Sequence, residues 1–149
     1  MLCLDFFIMA HELLVQHGIS DWHVTVDRST RRAGICYYTH KRLSFSRHLA
    51  YSDTIPDDEV RNIVLHEIAH ALVGPGHGHN DVWRDKAVAI GCDGSQYHKL
   101  TLCPPKYVIK CQCGRVDTSR MRLWKVWLQQ GVLSSCCMMP VEIQTIVHA

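Results

Sequence analysis

The stretch Asn62-Ile63-Val64-Leu65-His66-Glu67-Ile68-Ala69-His70-Ala71-Leu72-Val73 restricts this chain more than any other. Residues four apart lie one above the other on an α-helix, so His66 and His70 aim two imidazoles at one point, with Glu67 projecting beside them. Val60, Ile63, Val64, Leu65, Ile68, Ala69, Leu72 and Val73 make that helix apolar nearly all round, which requires burial. Two histidines and a glutamate inside such a helix are costly unless paired or bound to a metal. An exposed helix with three incidental polar residues is the bland alternative, and the burial pattern speaks against it. The spacing is that of a zinc site with its base. Two neutral imidazoles leave room for a third protein ligand and a water whose pKa falls toward about 7. Glu67, kept out of the metal's own shell, can take that water's proton and pass it to a leaving amine.

A chain of 149 residues can build one domain with a real core, or a domain of about 100 residues with a small appendage. No run approaches the roughly 18 apolar residues of a membrane span. The apolar opening Leu2 to Ala10 contains Asp5 and lacks a basic leader, so a cytoplasmic protein is expected. The eight cysteines then read as thiols or metal ligands in a reducing compartment. Charge is uneven along the chain. Residues 1–100 carry ten Lys/Arg against twelve Asp/Glu, and residues 101–149 carry six against two, giving a body of −2 and a tail of +4. A basic tail on a mildly acidic body points to an anionic partner, with ordinary solvation as the alternative.

Leu4, Phe7, Ile8, Leu13 and Leu14 recur at helical spacing and stop before Gly18, which predicts a core-packing helix over Leu2 to His17. His11 and Glu12 imitate the start of the motif, but Val15 stands where a second His is needed. The period then changes to two. Trp22 to Val26, Ala33 to Tyr38 and Arg42 to Ser46 read as three short strands, expected as an antiparallel meander packed on helices. Gly34 suggests a bulge or a close approach, and Cys36 a small buried residue rather than a ligand. Tyr51 to Ile55 reads as a loop. Pro56 and three following acids open the motif helix, where a missing N–H costs little and negative charge meets the positive end of the dipole. Gly74-Pro75-Gly76 ends it. Asp81 to Ile90 reads as a further helix with Trp83, Ala87 and Ile90 inward, so that Trp83 is a core anchor beneath the ligand.

For the third ligand, the only glutamate after Glu67 is Glu142, and Val73 and Gly76 stand where an extended histidine motif needs Gly and His. A glycine turn brings His77 or His79 back toward the metal, and Asp81 and His98 stand further along.

These residues together resemble the SprT-like metalloprotease family, which includes the Spartan-type proteases that degrade proteins crosslinked to DNA. The matching features are the N-terminal helix, Trp22 before a strand, Arg32-Ala33-Gly34-Ile35-Cys36, Leu43-Ser44-Phe45-Ser46, the His66-Glu67-Ile68-Ala69-His70 helix, and a later His four residues before an aromatic. The family's last pattern is His-Gly-x-x-Trp/Phe, with its His as third zinc ligand. The resemblance therefore implies His79, four before Trp83, although Asn80 replaces the usual glycine and His77 stays the alternative.

Tyr107 to Gly114 reads as a strand entering a cysteine knuckle with Cys111 and Cys113, and Cys136 and Cys137 follow after 22 residues. Two thiol pairs so spaced resemble the zinc ribbon that follows the protease core in many SprT-like proteins. Here the second pair is adjacent, and neighbouring side chains do not easily reach one tetrahedral ion. Cys103 is a possible substitute, and a ribbon without zinc is the alternative. Arg115, Arg120, Arg122 and Lys125 interleave with Trp124 and Trp127, which suits phosphates and stacked bases or, equally, core tryptophans among solvated cations. Val141 to Val147 reads as a final ribbon strand.

The expected protein is thus α+β: a SprT-like metalloprotease core over 1–98 and a basic, β-rich, ribbon-like segment over 99–149. His66, His70 and His79 would hold a catalytic zinc, Glu67 would act as base, and Cys111, Cys113, Cys136 and Cys137 would hold a second, structural zinc. The family implies protein substrates associated with or crosslinked to DNA, reached through the basic tail. Two other classes compete: a zinc-containing DNA-binding protein with an inactive core, and a metal-dependent amidase acting elsewhere. Compactness reads as a phage or bacterial source.

Overall fold

The computed structural model describes residues 3–114, 117–120, 133, 134 and 136–145. The chain divides into two compact units, Met1–Cys103 and Pro104–Ala149. Among the described residues no helix is long and apolar enough to cross a membrane.

The first unit runs α1 (Cys3–Gln16), β1 (His23–Asp27), β2 (Gly34–Tyr37), β3 (Arg42–Ser46), α2 (Arg47–Ala50), α3 (Asp57–Val73) and α4 (Asp81–Ala89). The α+β class and its three strands follow the expectation, but the meander does not. β3 lies between the other two, antiparallel to β2 and parallel to β1, with Val24 opposite Leu43 and Val26 opposite Phe45. The six residues between β1 and β2 make this possible, since they need to bridge only two strand spacings, about 10 Å. They cross the end of β3 and are tied to it. Ser46 N donates to Ala33 O at 2.8 Å and Ser46 Oγ to Ser29 O. Asp27 accepts from Ser29 N at 2.8 Å, from Ser44 Oγ at 2.9 Å and from Arg32 at 2.7 Å.

Phe6, Ala10, Leu13 and Leu14 on α1 pack with Leu43, Phe45, Val60, Val64 and Ile68 in one core, and Phe6 meets Phe45 edge to face at 5.5 Å. α3 is buried along most of its length, as its apolar sequence requires, and Glu67 is buried with it at 6% exposure. Pro56 is the N-cap of α3 rather than a residue of its first turn, and Gly74 at φ 83 closes the other end. α2 was not expected. Its signal was Ser46, whose side chain accepts from His48 N at 3.1 Å as an N-cap.

In the second unit β4 (Tyr107–Cys111) pairs antiparallel on one side with β5 (Asp117–Arg120) and on the other with β6 (Val141–Thr145). The strand into the knuckle and the closing strand stand where the sequence placed them, and the sheet order is β5-β4-β6.

Candidate active site

Helical spacing on α3 stacks His66 and His70 on one face, their rings 5.1 Å apart. The chain then stops at Gly74, turns through Gly76 and Gly78, both at positive φ, and returns His79 to the same point. His79 Nε2 lies 3.0 Å from His66 Nε2 and 3.1 Å from His70 Nε2. His77 stays outside this cluster, with Nδ1 3.4 Å from Asn80 Nδ2, and neither Asp81 nor His98 joins it. Asp81 instead pairs with Arg84 at 2.7 Å.

One indole fixes the three rings. Trp83 is fully buried, and its ring centre lies 4.6, 5.2 and 4.5 Å from those of His66, His70 and His79. Trp83 is placed by the cap of its own helix, where Asn80 Oδ1 accepts the Trp83 N–H at 3.1 Å. That is the work of the residue standing where the family pattern has glycine: an asparagine N-cap starts α4 and sets the ligand-to-tryptophan spacing.

Burial, with the neighbouring imidazoles adding to it, pushes both His66 and His70 down to about 4, and burial lowers His79 as well. Near neutral pH all three are therefore uncharged and each offers a lone pair. Three such nitrogens on a tetrahedral zinc, at about 2.0–2.1 Å from the ion, would stand about 3.3 Å apart. The observed 3.0 and 3.1 Å fit that donor set.

Glu67 is aimed by the edge strand. A Cβ built on Gly34 would stand 2.7 Å from both Cγ and Oε1 of Glu67, so β2 leaves out a side chain where the carboxylate lies. The close approach suggested by Gly34 is thus to Glu67. Burial pushes Glu67 up to about 8, with the Arg32 guanidinium pulling the other way. Cys36 and Tyr38 follow Gly34 at two-residue steps along the same wall. Burial raises both, and the Glu67 charge adds to it, the Cys36 thiol reaching about 12. Cys36 is half-buried and stands outside the histidine cluster. A cavity of about 820 Å³ opens over Glu67 and the imidazoles, walled by β2 on one side and by residues 93–99 on the other.

In the second unit the four thiols do come together. Cys111 Sγ lies 3.1 Å from Cys113 Sγ, 3.1 Å from Cys136 Sγ and 3.2 Å from Cys137 Sγ. The four cysteines that the sequence put forward together stand as one group although Cys136 and Cys137 are adjacent, and Met138 follows them at φ 56. Ser134 and the neighbouring thiols pull Cys111 down to about 6, and Ser134 lowers Cys137 too. Thiolates so stabilised suit a soft dication. Cys103 is not part of the group. Of the basic and aromatic tail residues, Arg115, Arg122, Lys125, Trp124 and Trp127 lie outside the described residues, and Arg120 lies on β5.

A family model described as the SprT-like family matches residues 4–103 of the 149. The chain belongs to the SprT-like family. SprT-like membership and the convergent imidazoles together support a zinc metallopeptidase. Comparison with curated proteins returned no match. Among solved structures, the metallopeptidase zymogen jannalysin of Methanocaldococcus jannaschii is similar over 54% of this chain and 76% of that one, at 14% identity and a TM-score of 0.45.

Proposed function

We propose that this SprT-like protein is a peptidase that hydrolyses peptide bonds, with His66, His70 and His79 holding a zinc ion and Glu67 serving as general base. The observation that carries the reading is the convergence of three neutral imidazoles on one point beside a carboxylate for which β2 leaves a glycine-sized space. Zinc, when bound, supplies the Lewis acidity that makes water a nucleophile near neutral pH and polarises a carbonyl. Glu67 takes the proton as the water oxygen bonds to the scissile carbon. As the carbon–nitrogen bond breaks, the same carboxyl returns that proton to the leaving amine. Trp83 keeps the three rings in place, and the cavity walls hold the substrate chain against them.

The substrates we favour are proteins bound or crosslinked to DNA. This extension rests on the family resemblance and on the +4 tail, whose cations suit phosphate. We further assign a second zinc to Cys111, Cys113, Cys136 and Cys137, and place the enzyme in the cytoplasm, where thiols at this spacing stay reduced.

The test uses purified full-length protein with zinc, assayed on an unstructured protein free in solution and crosslinked to single-stranded DNA. Cleavage is expected in both forms and to be faster on DNA. Cleavage should stop in Glu67→Gln with zinc retained. Loss of zinc binding without loss of cleavage would overturn the metallopeptidase reading. DNA binding that persists unaltered in an inactive wild type would favour the non-enzymatic class. Equal rates with and without DNA would remove the DNA assignment alone.

A further inference from the structure

The four thiols of the second unit stand where two tight turns meet. The first, Cys111 to Gly114, is closed by the Gly114 N–H, which donates to Cys111 O at 2.9 Å with Gly114 at φ 71. The second carries Cys136 and Cys137 and is closed twice by one residue. Ser134 N donates to Met139 O at 2.9 Å, and Ser134 O accepts the Met138 N–H at 3.0 Å. Leu133 bridges Pro140 just outside them. The backbone of Ser134 thus spans the turn on which the adjacent cysteines sit. Its side chain meets the same cysteines. Ser134 is only 7% exposed, and its Oγ lies 3.0 Å from Cys137 Sγ, nearer than the 3.2 Å between Cys137 Sγ and Cys111 Sγ. A buried hydroxyl needs a hydrogen-bond partner. A thiolate has no proton to give, so with Cys137 ionised as a metal ligand the hydroxyl is the donor.

We propose that Ser134 is the positioning residue of the cysteine centre: its backbone closes the turn that presents Cys136 and Cys137, and its hydroxyl donates to the Cys137 thiolate and holds that sulfur as a metal ligand. The inference rests on the assignment of a zinc to the four cysteines and deepens it. Four thiolates on a dication leave two negative charges uncompensated, and a hydrogen bond donated to sulfur offsets part of that charge. It also fixes the direction in which the sulfur's remaining lone pairs point, as outer partners of metal ligands do. A thiolate held in this way is a weaker nucleophile, because the donated proton draws on the electron density that would attack an electrophile. The centre is open to such reagents on one side, since Cys113 is exposed. The shape of the turn and the charge on its sulfur are therefore set by one serine, placed two residues before the adjacent pair.

The experiment titrates metal-free full-length protein with cobalt(II) and then zinc in competition. Thiolate-to-cobalt charge transfer marks the cysteine centre, and the histidine centre, which lacks it, is the internal control. Ser134→Ala removes a single oxygen and should weaken the cysteine centre by about 10-fold. Its charge-transfer band should move to longer wavelength, because a sulfur without its donor holds its electrons less tightly. In the zinc-loaded variant iodoacetamide should alkylate Cys137 faster than in wild type, mapped by mass spectrometry beside Cys113. Ser134→Thr keeps the hydroxyl and should return band, affinity and alkylation rate toward wild type, and neither variant should alter the histidine centre. An unmoved band with an unchanged alkylation rate in Ser134→Ala, or an equal shift in both variants, would overturn the proposal while leaving the zinc assignment standing. A wild type whose cysteines take no cobalt, judged against the variant with Cys111 and Cys113 replaced by Ser, would overturn that assignment and this inference with it.

Discussion

Gly34→Ala is the substitution that separates the position of the base from the stability of the fold. The added methyl carbon would stand 2.7 Å from Glu67 Cγ and 2.7 Å from Oε1. Ordinary carbon contacts lie at about 3.5–4.0 Å, so roughly 1 Å must be found somewhere. Two groups can yield. Displacing β2 disturbs a strand held to β3 from Gly34 to Tyr37 and costs about 1–3 kcal/mol. Rotating Glu67 off its rotamer costs about 0.5–1.5 kcal/mol, so the side chain gives way first. Alanine meets no backbone strain here, because Gly34 is not among the residues at positive φ. It also recovers part of the entropy that glycine loses in a strand. Folding stability should therefore change by less than about 1 kcal/mol, while a carboxylate misplaced by about 1 Å costs on the order of 100-fold in rate, or about 2.7 kcal/mol of transition-state energy. The assay is kcat/KM on a fluorogenic peptide, with zinc content and a thermal melt on the same sample. The expected result is a loss of two orders of magnitude with zinc and melting temperature preserved, and no further loss when Gly34→Ala is added to Glu67→Gln. Activity within three-fold of wild type, or an equal loss in the Glu67→Gln background, would refute the argument that β2 makes room for the base.

His79→Ala should remove the histidine-bound zinc, whereas His77→Ala should keep it, as measured by metal content after dialysis; retention in His79→Ala would exchange the two assignments. Trp83→Ala empties a fully buried site and should cost about 3–5 kcal/mol in denaturant unfolding. Trp83→Phe should cost less, because it also deletes an indole N–H that has no hydrogen-bond partner among the described residues. Asp27 feels burial raising its pKa, but Ser29, Ser44 and Arg32 together hold it below the ordinary carboxylate value. Its contribution is present above the unfolded pKa, about 4, and is lost as pH falls through the lower folded value. Asp27→Asn should therefore lower the melting temperature at pH 7 and converge with wild type in acid; a constant offset at every pH would contradict this. Replacing Cys111 and Cys113 by Ser should remove one zinc per chain and leave the histidine-bound one, read by metal analysis.

What could be read from the sequence was whatever depends on local period or fixed spacing. The 3.6-residue pattern and the pairing of His66 with His70 sit inside one helix, and Trp83 four residues after His79 again sits within a single turn. Strand pairing is different in kind. Alternation identifies a strand but not its neighbour, so three consecutive strands read as a meander although β3 lies in the middle. The order is held by long-range hydrogen bonds from Ser44 to Asp27 at the end of β1 and from Ser46 to Ser29 and Ala33 of the β1–β2 connection, and serines and aspartates in a sequence do not announce their partners. The adjacent cysteines were a doubt for a related reason. Side-chain reach was weighed from sequence separation, whereas the backbone kink at Met138 sets it.

The sheet order in turn explains the site. In a meander β2 would be the central strand, with backbone partners on both sides. With β3 in the centre, β2 becomes an edge strand lying along α3, and its first residue comes to the level of Glu67. An edge strand bordering a helix leaves a cleft open along its length, which is the cavity above the imidazoles. Position 34 lacks a side chain where the carboxylate lies, and Cys36 and Tyr38 line the same cavity at two-residue steps. The short crossing connection after β1 is therefore a condition for the proposed chemistry as well as for the fold, since moving β2 inward would close the cleft that Glu67 and the three histidines line.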